Sequence, residues 1–395
     1  MNDGPMVEWQ EAGAGRSARW RSGAGHAPPR RVVLTDDTLS ADRAWHLACE
    51  GTAMLWVGDW QNARHLLDAM KRRVDAKSGR RRRPHGGSDE ARETPSAQAF
   101  HVYRQAQAQR AHTLGMLLVG LDGDDGIPLR RAPELREAIR EAWGAPDGAP
   151  SVASLRELLG VVGAHEWRRK GVPIPALAGA GYDRIHPHYG VFSPVRGEYV
   201  DLVARAPLPT DELAFDIGTG TGVLAAVIAR RGVRRIVATD VDPGAIECAR
   251  DNLVRLGLAD RVEIVGAGLF PEGRAPLVVC NPPWLPGRAS SRLERAVYDE
   301  GSGMLRGFLA GLRAHLTADG EGWLVLSDLA ERLGLRTRSQ LLEWIAQAGL
   351  AVIDRLDTQP RHGKAHDADD PFHAARAGEV TSLWRLRSVV PATTD

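Results

Sequence analysis

Cysteine is scarce in this chain: Cys49, Cys248 and Cys280 are the only three in 395 residues, and they stand far apart. That spacing offers neither a disulfide framework nor a zinc site, and it suits a reducing compartment. No run approaches the roughly 18 apolar residues that a membrane helix needs. The first residues, MNDGPMVEWQEAGAGRS, lack the apolar stretch of a signal peptide. An excess of one charge is also missing: 51 basic residues face 50 acidic ones, for a net charge of +1. Nothing global therefore marks a nucleic-acid binder, although a local basic patch remains open. These absences predict a cytoplasmic protein with no membrane partner.

What is present is an ordinary globular composition, 43% apolar and 26% charged, in a chain long enough for two domains. Residues 1–30 are rich in Gly, Ala and Arg without hydrophobic period and read as a disordered tail. From 31 to 180 the pattern is helical to mixed. Trp45, Ala48, Met54 and Leu55, then Ala63, Leu66, Leu67 and Met70, predict a helical hairpin turning at Gly58-Asp59. A polar loop over 78–98 carries Arg80 to Arg83, a solvated run or a phosphate contact. Beyond it come a helix from Ser96 to about Gly115, short strands at Met116–Leu121 and Ile127–Arg130, and helices over Pro133–Trp143 and Val152–Trp167. No chemistry attaches to this half.

From Gly181 to about 390 the texture changes. Short β-branched runs at Leu213–Ile217, Arg235–Thr239, Val262–Val265, Leu277–Cys280 and Trp323–Ser327 alternate with amphipathic helices, the pattern of a mostly parallel sheet covered on both faces. Two final runs, Ala351–Leu356 and Thr381–Leu386, have no helix between them and predict an antiparallel pair at one side. Their joining loop holds His362, His366 and His373, a composition that solvent usually claims and a metal rarely.

Two constellations carry chemistry. The first strand ends in Asp216-Ile217 and runs into Gly218-Thr219-Gly220-Thr221-Gly222 with a helix directly behind. Glycines there let the backbone approach a ligand. The dinucleotide fingerprint needs glycine where Val223 stands, which weakens a nicotinamide or flavin reading. The next strand ends in Asp240, placed to accept hydrogen bonds from ribose hydroxyls, while Asp242 and Pro243 read as cap and first turn of the following helix. The fourth strand ends in Asn281-Pro282-Pro283-Trp284. Two prolines fix the backbone there. The Asn281 side-chain carbonyl and the Pro282 main-chain carbonyl can accept from a planar NH₂ group, and the Trp284 face can stack on the plane that carries it.

These segments together resemble the class I methyltransferases, in the amino-methylating branch that includes small-domain RNA methyltransferases, adenine-N6 methyltransferases and release-factor glutamine methyltransferases. His188 to Pro194 and Asp299-Glu300-Gly301-Ser302-Gly303 are similar to the branch as well. The resemblance covers 181–390 and implies a Rossmann-like α/β fold with a seven-stranded sheet, preceded by a smaller, mostly helical substrate-recognition domain. It implies S-adenosyl-L-methionine as cofactor, held by Asp216, Gly218, Thr219, Gly220, Gly222, Asp240, Leu269 and Asn281. Asn281, Pro282, Pro283 and Trp284 become the catalytic set, and RNA or a protein the partner. One departure stands out: Gly268 occupies the place of an acid that often meets the cofactor's adenine, which leaves that contact to backbone groups and to Leu269 or Phe270. An amino group in RNA is the leading substrate expectation. A protein glutamine is the alternative, with a small aromatic amine and a non-catalytic binding role behind it.

Overall fold

A computed structural model of the protein describes residues 4–82, 96–179, 181–361, 367 and 370–389. The chain divides into two compact units, the first reaching Glu166 and the second running from Trp167.

The first unit is built on a sheet, which corrects the expectation of a mostly helical domain behind a disordered tail. β1 (Met6–Glu11) and β2 (Ala14–Arg21) pair antiparallel across a turn where Ala12 and Gly13 both have positive φ. Val7, Ala18 and Trp20 bury their side chains, and this anchors a segment of otherwise polar composition. β3 (Arg31–Thr35), α1 (Ala41–Cys49), β4 (Thr52–Trp56) and α2 (Trp60–Arg82) follow. Met54 and Leu55 thus lie in a strand whose five residues are all buried, a short apolar run that periodicity alone does not separate from a helix. Arg80, Arg81 and Arg82 prolong α2 instead of opening a loop, and Arg83 lies outside the described residues. The unit continues with α3 (Ala97–Gly115), β5 (Leu117–Leu121), α4 (Arg136–Trp143), β6 (Ser151–Ser154) and α5 (Leu155–Lys170). Ile127–Arg130 forms no strand; a single bridge links Arg130 to Asp59. The strand order is β1-β2-β6-β5-β4-β3, with β3, β4 and β5 parallel.

The second unit opens with a two-stranded pair, β7 (Val172–Pro173) and β8 (Arg184–Ile185), so the boundary falls near 167 rather than 181. Then come α6 (Glu198–Arg205), β9 (Leu213–Ile217), α7 (Val223–Arg230), β10 (Arg235–Asp240), α8 (Pro243–Arg255), β11 (Val262–Gly266) and β12 (Ala275–Cys280). They are followed by α9 (Gly303–His315), β13 (Leu316–Ser327), α10 (Leu329–Arg332), α11 (Arg338–Gln347), β14 (Leu350–Thr358), α12 (His373–Ala377) and β15 (Thr381–Ser388). The sheet order is β11-β10-β9-β12-β13-β15-β14. The first five strands are parallel, and β15 runs antiparallel to both neighbours. All seven expected strands are present; α12 is a short helix in the loop expected to hold none.

Side chains alternate between two apolar layers. Ala214 of β9 joins Val203, Val227 and Ile228 on one face, while Phe215 and Ile217 join Phe308, Leu312 and Ile345 on the other. Strands buried on both faces need helices on both sides, and α6–α7 and α9–α11 supply them. Sequence order reverses between β9 and β12, so a crevice opens at their carboxyl ends. Cys280 pairs with Ile217, which brings Asn281 and Gly218 out of the sheet side by side.

Candidate active site

Gly218, Gly220 and Gly222 have φ of 72°, 57° and 79°. Three left-handed residues in five demand glycine, which lacks the Cβ that penalises this region. β10 fastens the turn from the side: the Gly218 and Thr219 N–H groups both donate to the Thr239 carbonyl, at 2.9 and 2.8 Å. Gly220 N–H donates to Asp240 Oδ2 at 2.9 Å, and Asp242 N–H donates to Asp240 Oδ1 at 2.9 Å. Asp240 is thereby clamped between the glycine turn and the start of α8, where Asp242 accepts from Gly244 N–H as the cap the sequence predicts. Each Asp240 oxygen keeps a further lone pair for a ligand hydroxyl.

Asp216 lies beneath this turn, buried. Its Oδ2 accepts from the Thr219 hydroxyl at 2.7 Å and from Ala225 N–H at 3.1 Å, which satisfies one of the open donors in the first turn of α7. Burial pushes its carboxyl up to about 6, and the nearby Asp240 charge adds to the shift. Asp216 shapes the loop from inside and also reaches the cavity wall. Leu269 lines the same cavity, its carbonyl accepting from the Thr239 hydroxyl at 2.7 Å. Phe270 does not: half-buried, it stacks between Phe308 and His315, at 5.9 and 4.2 Å, against the core. Of the two side chains named for the adenine, Leu269 is therefore the one that lines the cavity.

Beyond the buried end of β12, Asn281, Pro282, Pro283 and Trp284 all line the cavity. Trp284 Nε1 donates to Asn281 Oδ1 at 2.8 Å. The Trp284 ring meets Tyr199 edge-on, 6.5 Å between centres at 87°, and the Arg196 guanidinium lies over it at 5.9 Å. Cys280 is fully buried beneath the tetrapeptide, and burial raises its thiol far above the usual range, so it supplies no nucleophile.

One cavity of about 1130 Å³ joins the glycine turn, Asp240 and the tetrapeptide. Pockets for a single drug-sized ligand span about 300–1,000 Å³, so there is room for a cofactor and part of a substrate together. A Cβ built on Gly220 or Gly268 would meet nothing within 4 Å, whereas one on Gly218 would stand 2.5 Å from Met304 Cε. Met304 is held there by Asp299, whose carboxylate accepts from the Met304 and Leu305 N–H groups at the start of α9. Arg196, Tyr199, Arg292, Arg295, Met304 and Arg376 line the cavity without having been singled out from the sequence. Arg196 lies two residues past the flagged His188–Pro194 stretch, and Arg376 sits within the loop read for histidines. Of those histidines only His373 is described, and no group of three or more metal-ligating side chains occurs among the described residues.

A strand order that reverses at β9 and β12, a glycine turn backed by Asp240, and an Asn-Pro-Pro-Trp segment opening into one cavity define a cofactor-binding α/β enzyme fold. The chain belongs to the class I S-adenosylmethionine-dependent methyltransferases. The family profile described as Ribosomal protein L11 methyltransferase (PrmA) matches residues 203–308. A ribosomal protein L11 methyltransferase of Pelotomaculum thermopropionicum is 49% identical over 17% of this chain, but that match spans only 22% of the relative. A tRNA1(Val) (adenine(37)-N6)-methyltransferase of Shewanella amazonensis is 30% identical over 45% of this chain and 76% of its own length. A release factor glutamine methyltransferase of Cereibacter sphaeroides is 29% identical over 42% of this chain and 63% of that one.

Proposed function

We propose that this protein moves a methyl group from S-adenosylmethionine to the planar exocyclic amino group of a base in RNA. The observation that carries the reading is the shared cavity: the glycine turn with Asp240 and the Asn281–Trp284 segment face one space. The turn fits the cofactor because the positions that border open space, Gly220 and Gly268, are those where a side chain would fill it. Asp240 would hold the ribose hydroxyls and Leu269 the adenine. The bound cofactor supplies an electrophilic methyl group. Asn281 Oδ1 and the Pro282 carbonyl accept from the target NH₂, Trp284 stacks on its plane, and the nitrogen lone pair is turned toward the methyl. The chain's contribution is orientation and charge stabilisation.

Two observations favour RNA over a protein amide. Four arginines line the cavity, of which Arg292, Arg196 and Arg376 meet Asp242 at 3.0 Å, Glu379 at 3.5 Å and Asp370 at 2.9 Å, while the cavity's own acids, Asp216, Asp240 and Asp242, belong to the cofactor loops. The most extensively covered of the three relatives named above acts, by its name, on an adenine in tRNA. Substrate choice falls to the first unit, since every catalytic motif lies in the second. The test is transfer of labelled methyl into extract of a strain lacking the protein, divided into RNA, DNA and protein. Label in RNA supports the reading; label in protein alone replaces it with glutamine methylation.

A further inference from the structure

Tyr199 carries a hydroxyl that the folded chain leaves unused. The side chain sits in the first turn of α6, is only 4% exposed and lines the cavity. Its oxygen is not closed off by protein, yet it meets no hydrogen-bond partner among the described residues. A buried tyrosine hydroxyl ordinarily finds a partner, because giving up water without replacement is unfavourable. The space that Tyr199 borders is the cavity, so the partner is to be sought on what enters it. Burial, together with the Asp216 and Glu198 charges, holds the phenol well above its ordinary range, so it keeps its proton and can donate.

Its neighbours put it on the substrate side. The Tyr199 ring meets the Trp284 ring at 6.5 Å between centres, and Trp284 Nε1 donates to Asn281 Oδ1 at 2.8 Å. The phenol is therefore one side chain removed from the acceptor proposed for the target amino group. The tetrapeptide itself is poor in donors. Its prolines have no N–H, and the indole N–H is spent on Asn281, so no side chain there can donate apart from the Asn281 amide nitrogen. In adenine and in cytosine the carbon that bears the amino group also bears a ring nitrogen with a free lone pair. A base held by its amino group at Asn281 and Pro282 presents that nitrogen immediately beside it, on the edge that proteins read in unpaired RNA.

We propose that the Tyr199 hydroxyl donates to the ring nitrogen adjacent to the amino group that is methylated, so that the cavity reads the two groups together. The inference rests on the RNA reading and adds a selection rule to it. Two carbonyls take the amino protons and one phenol gives a proton back, a pattern that suits adenine and cytosine. Guanine has a protonated nitrogen on one side of its amino group, and there two donors would meet. Phenylalanine in place of Tyr199 would keep the ring contact with Trp284 and lose the donor. Tyr199 is thus a substrate-contacting residue.

The test uses the full chain saturated with sinefungin, a non-reactive cofactor analogue. Two pairs of probes are titrated by saturation-transfer NMR: 9-methyladenine with its 1-deaza analogue, and 1-methylcytosine with its 3-deaza analogue. Each analogue keeps the amino group and replaces the neighbouring ring nitrogen by C–H. The wild type is compared with Tyr199→Phe, and circular dichroism confirms folding. In the wild type at least one natural base should bind, with its deaza analogue about fivefold weaker, the scale of one neutral hydrogen bond. Tyr199→Phe should bind that base about fivefold more weakly and no longer distinguish it from the analogue, while sinefungin binds both proteins equally. Equal binding of base and analogue to the wild type overturns the contact, and this outcome needs no variant to fold. A preference that survives in Tyr199→Phe overturns it too, as does a loss of sinefungin affinity, which would put the phenol on the cofactor. If neither base binds, the contact falls; binding of N-acetylglutamine amide in their place takes the RNA reading with it, so the two failures are told apart.

Discussion

Trp284 Nε1 donates to Asn281 Oδ1 across 2.8 Å, closing the first and last residues of the tetrapeptide on each other. The indole N–H cannot bond to the amide nitrogen, so this contact sets which end of the Asn281 carboxamide faces the ring. The carbonyl oxygen retains a second lone pair for an incoming amino group. In the proposed reaction the stacking residue therefore also orients the acceptor, a coupling that phenylalanine in its place would lack.

Asn281→Ala should lower turnover on the order of a hundredfold or more while leaving cofactor affinity nearly intact, since one preorganised transition-state contact is lost. Trp284→Phe keeps the stacking face and loses the N–H, and should fall between wild type and Asn281→Ala. Single-turnover rates beside calorimetric cofactor binding check both. Wild-type turnover in Asn281→Ala would return the tetrapeptide to a strand terminator.

Asp240→Ala should weaken S-adenosylmethionine binding by roughly 1–3 kcal/mol, from the loss of charge-assisted hydrogen bonds. The Gly220 and Asp242 N–H groups also lose their acceptor, so the glycine turn should exchange its amide hydrogens faster. Unaltered affinity in a folded variant would contradict a ribose role.

Asp216 should leave a signature in stability against pH. Its carboxyl titrates at about 6 when folded, against an ordinary value of 3.8. Between those values the folded state holds more protons, so this group's contribution is fully favourable below about pH 4 and is lost as pH rises through 6. The loss amounts to roughly 3 kcal/mol at most. Asp216→Asn keeps an acceptor for Thr219 and Ala225 without the charge. Urea unfolding from pH 4 to 7 should then show a downward slope in the wild type that the variant lacks; identical slopes would reject the assignment.

Gly218→Ala meets two obstacles, a φ of 72° and Met304 Cε at 2.5 Å from the new Cβ. The left-handed conformation alone costs roughly 1–2 kcal/mol in a residue bearing Cβ. Adding Met304→Ala should recover the steric part and leave the backbone part. Thermal melts of the single and double variants separate the two; full recovery in the double variant would mean the backbone carries no strain.

The arginine run that closes α2 makes a separate prediction. If the first unit holds RNA, neutralising Arg80 to Arg83 together should weaken RNA binding and flatten its dependence on salt, with site choice little changed. An unaltered salt slope would exclude the run from the interface.

The second unit was legible because its chemistry and its periodicity agree. Leu213–Ile217 is largely apolar, carries an acid as its penultimate residue and runs straight into glycines. Asn281 to Trp284 was equally plain, since two prolines cannot continue a ladder. The first unit hid its sheet for physical reasons. β4 is buried on both faces and therefore shows no alternation, and β2 spends half its length on exposed Ala14 to Ser17 before burying Ala18 and Trp20. Between Leu269 and Phe270 the sequence left the contact open, because it gives position along the chain but not direction; Phe270 stacks with Phe308 and His315, and Leu269 lines the cavity. Arg196 and Glu379 lie 183 residues apart, and only the closed sheet brings them together.

The order of the sheet sets an order of assembly. β15 lies between β13 and β14 and buries Leu383, Trp384 and Leu386, yet it follows both in the chain. During synthesis β14 emerges with no partner and must wait for the segment that will seat it, on the order of seconds at about 5–20 residues per second. Glu379 leaves the ribosome just ahead of that strand. The contact between Arg196 and Glu379 therefore forms only when the sheet is closed, so a nascent chain that already carries every motif residue has yet to complete the sheet that seats them.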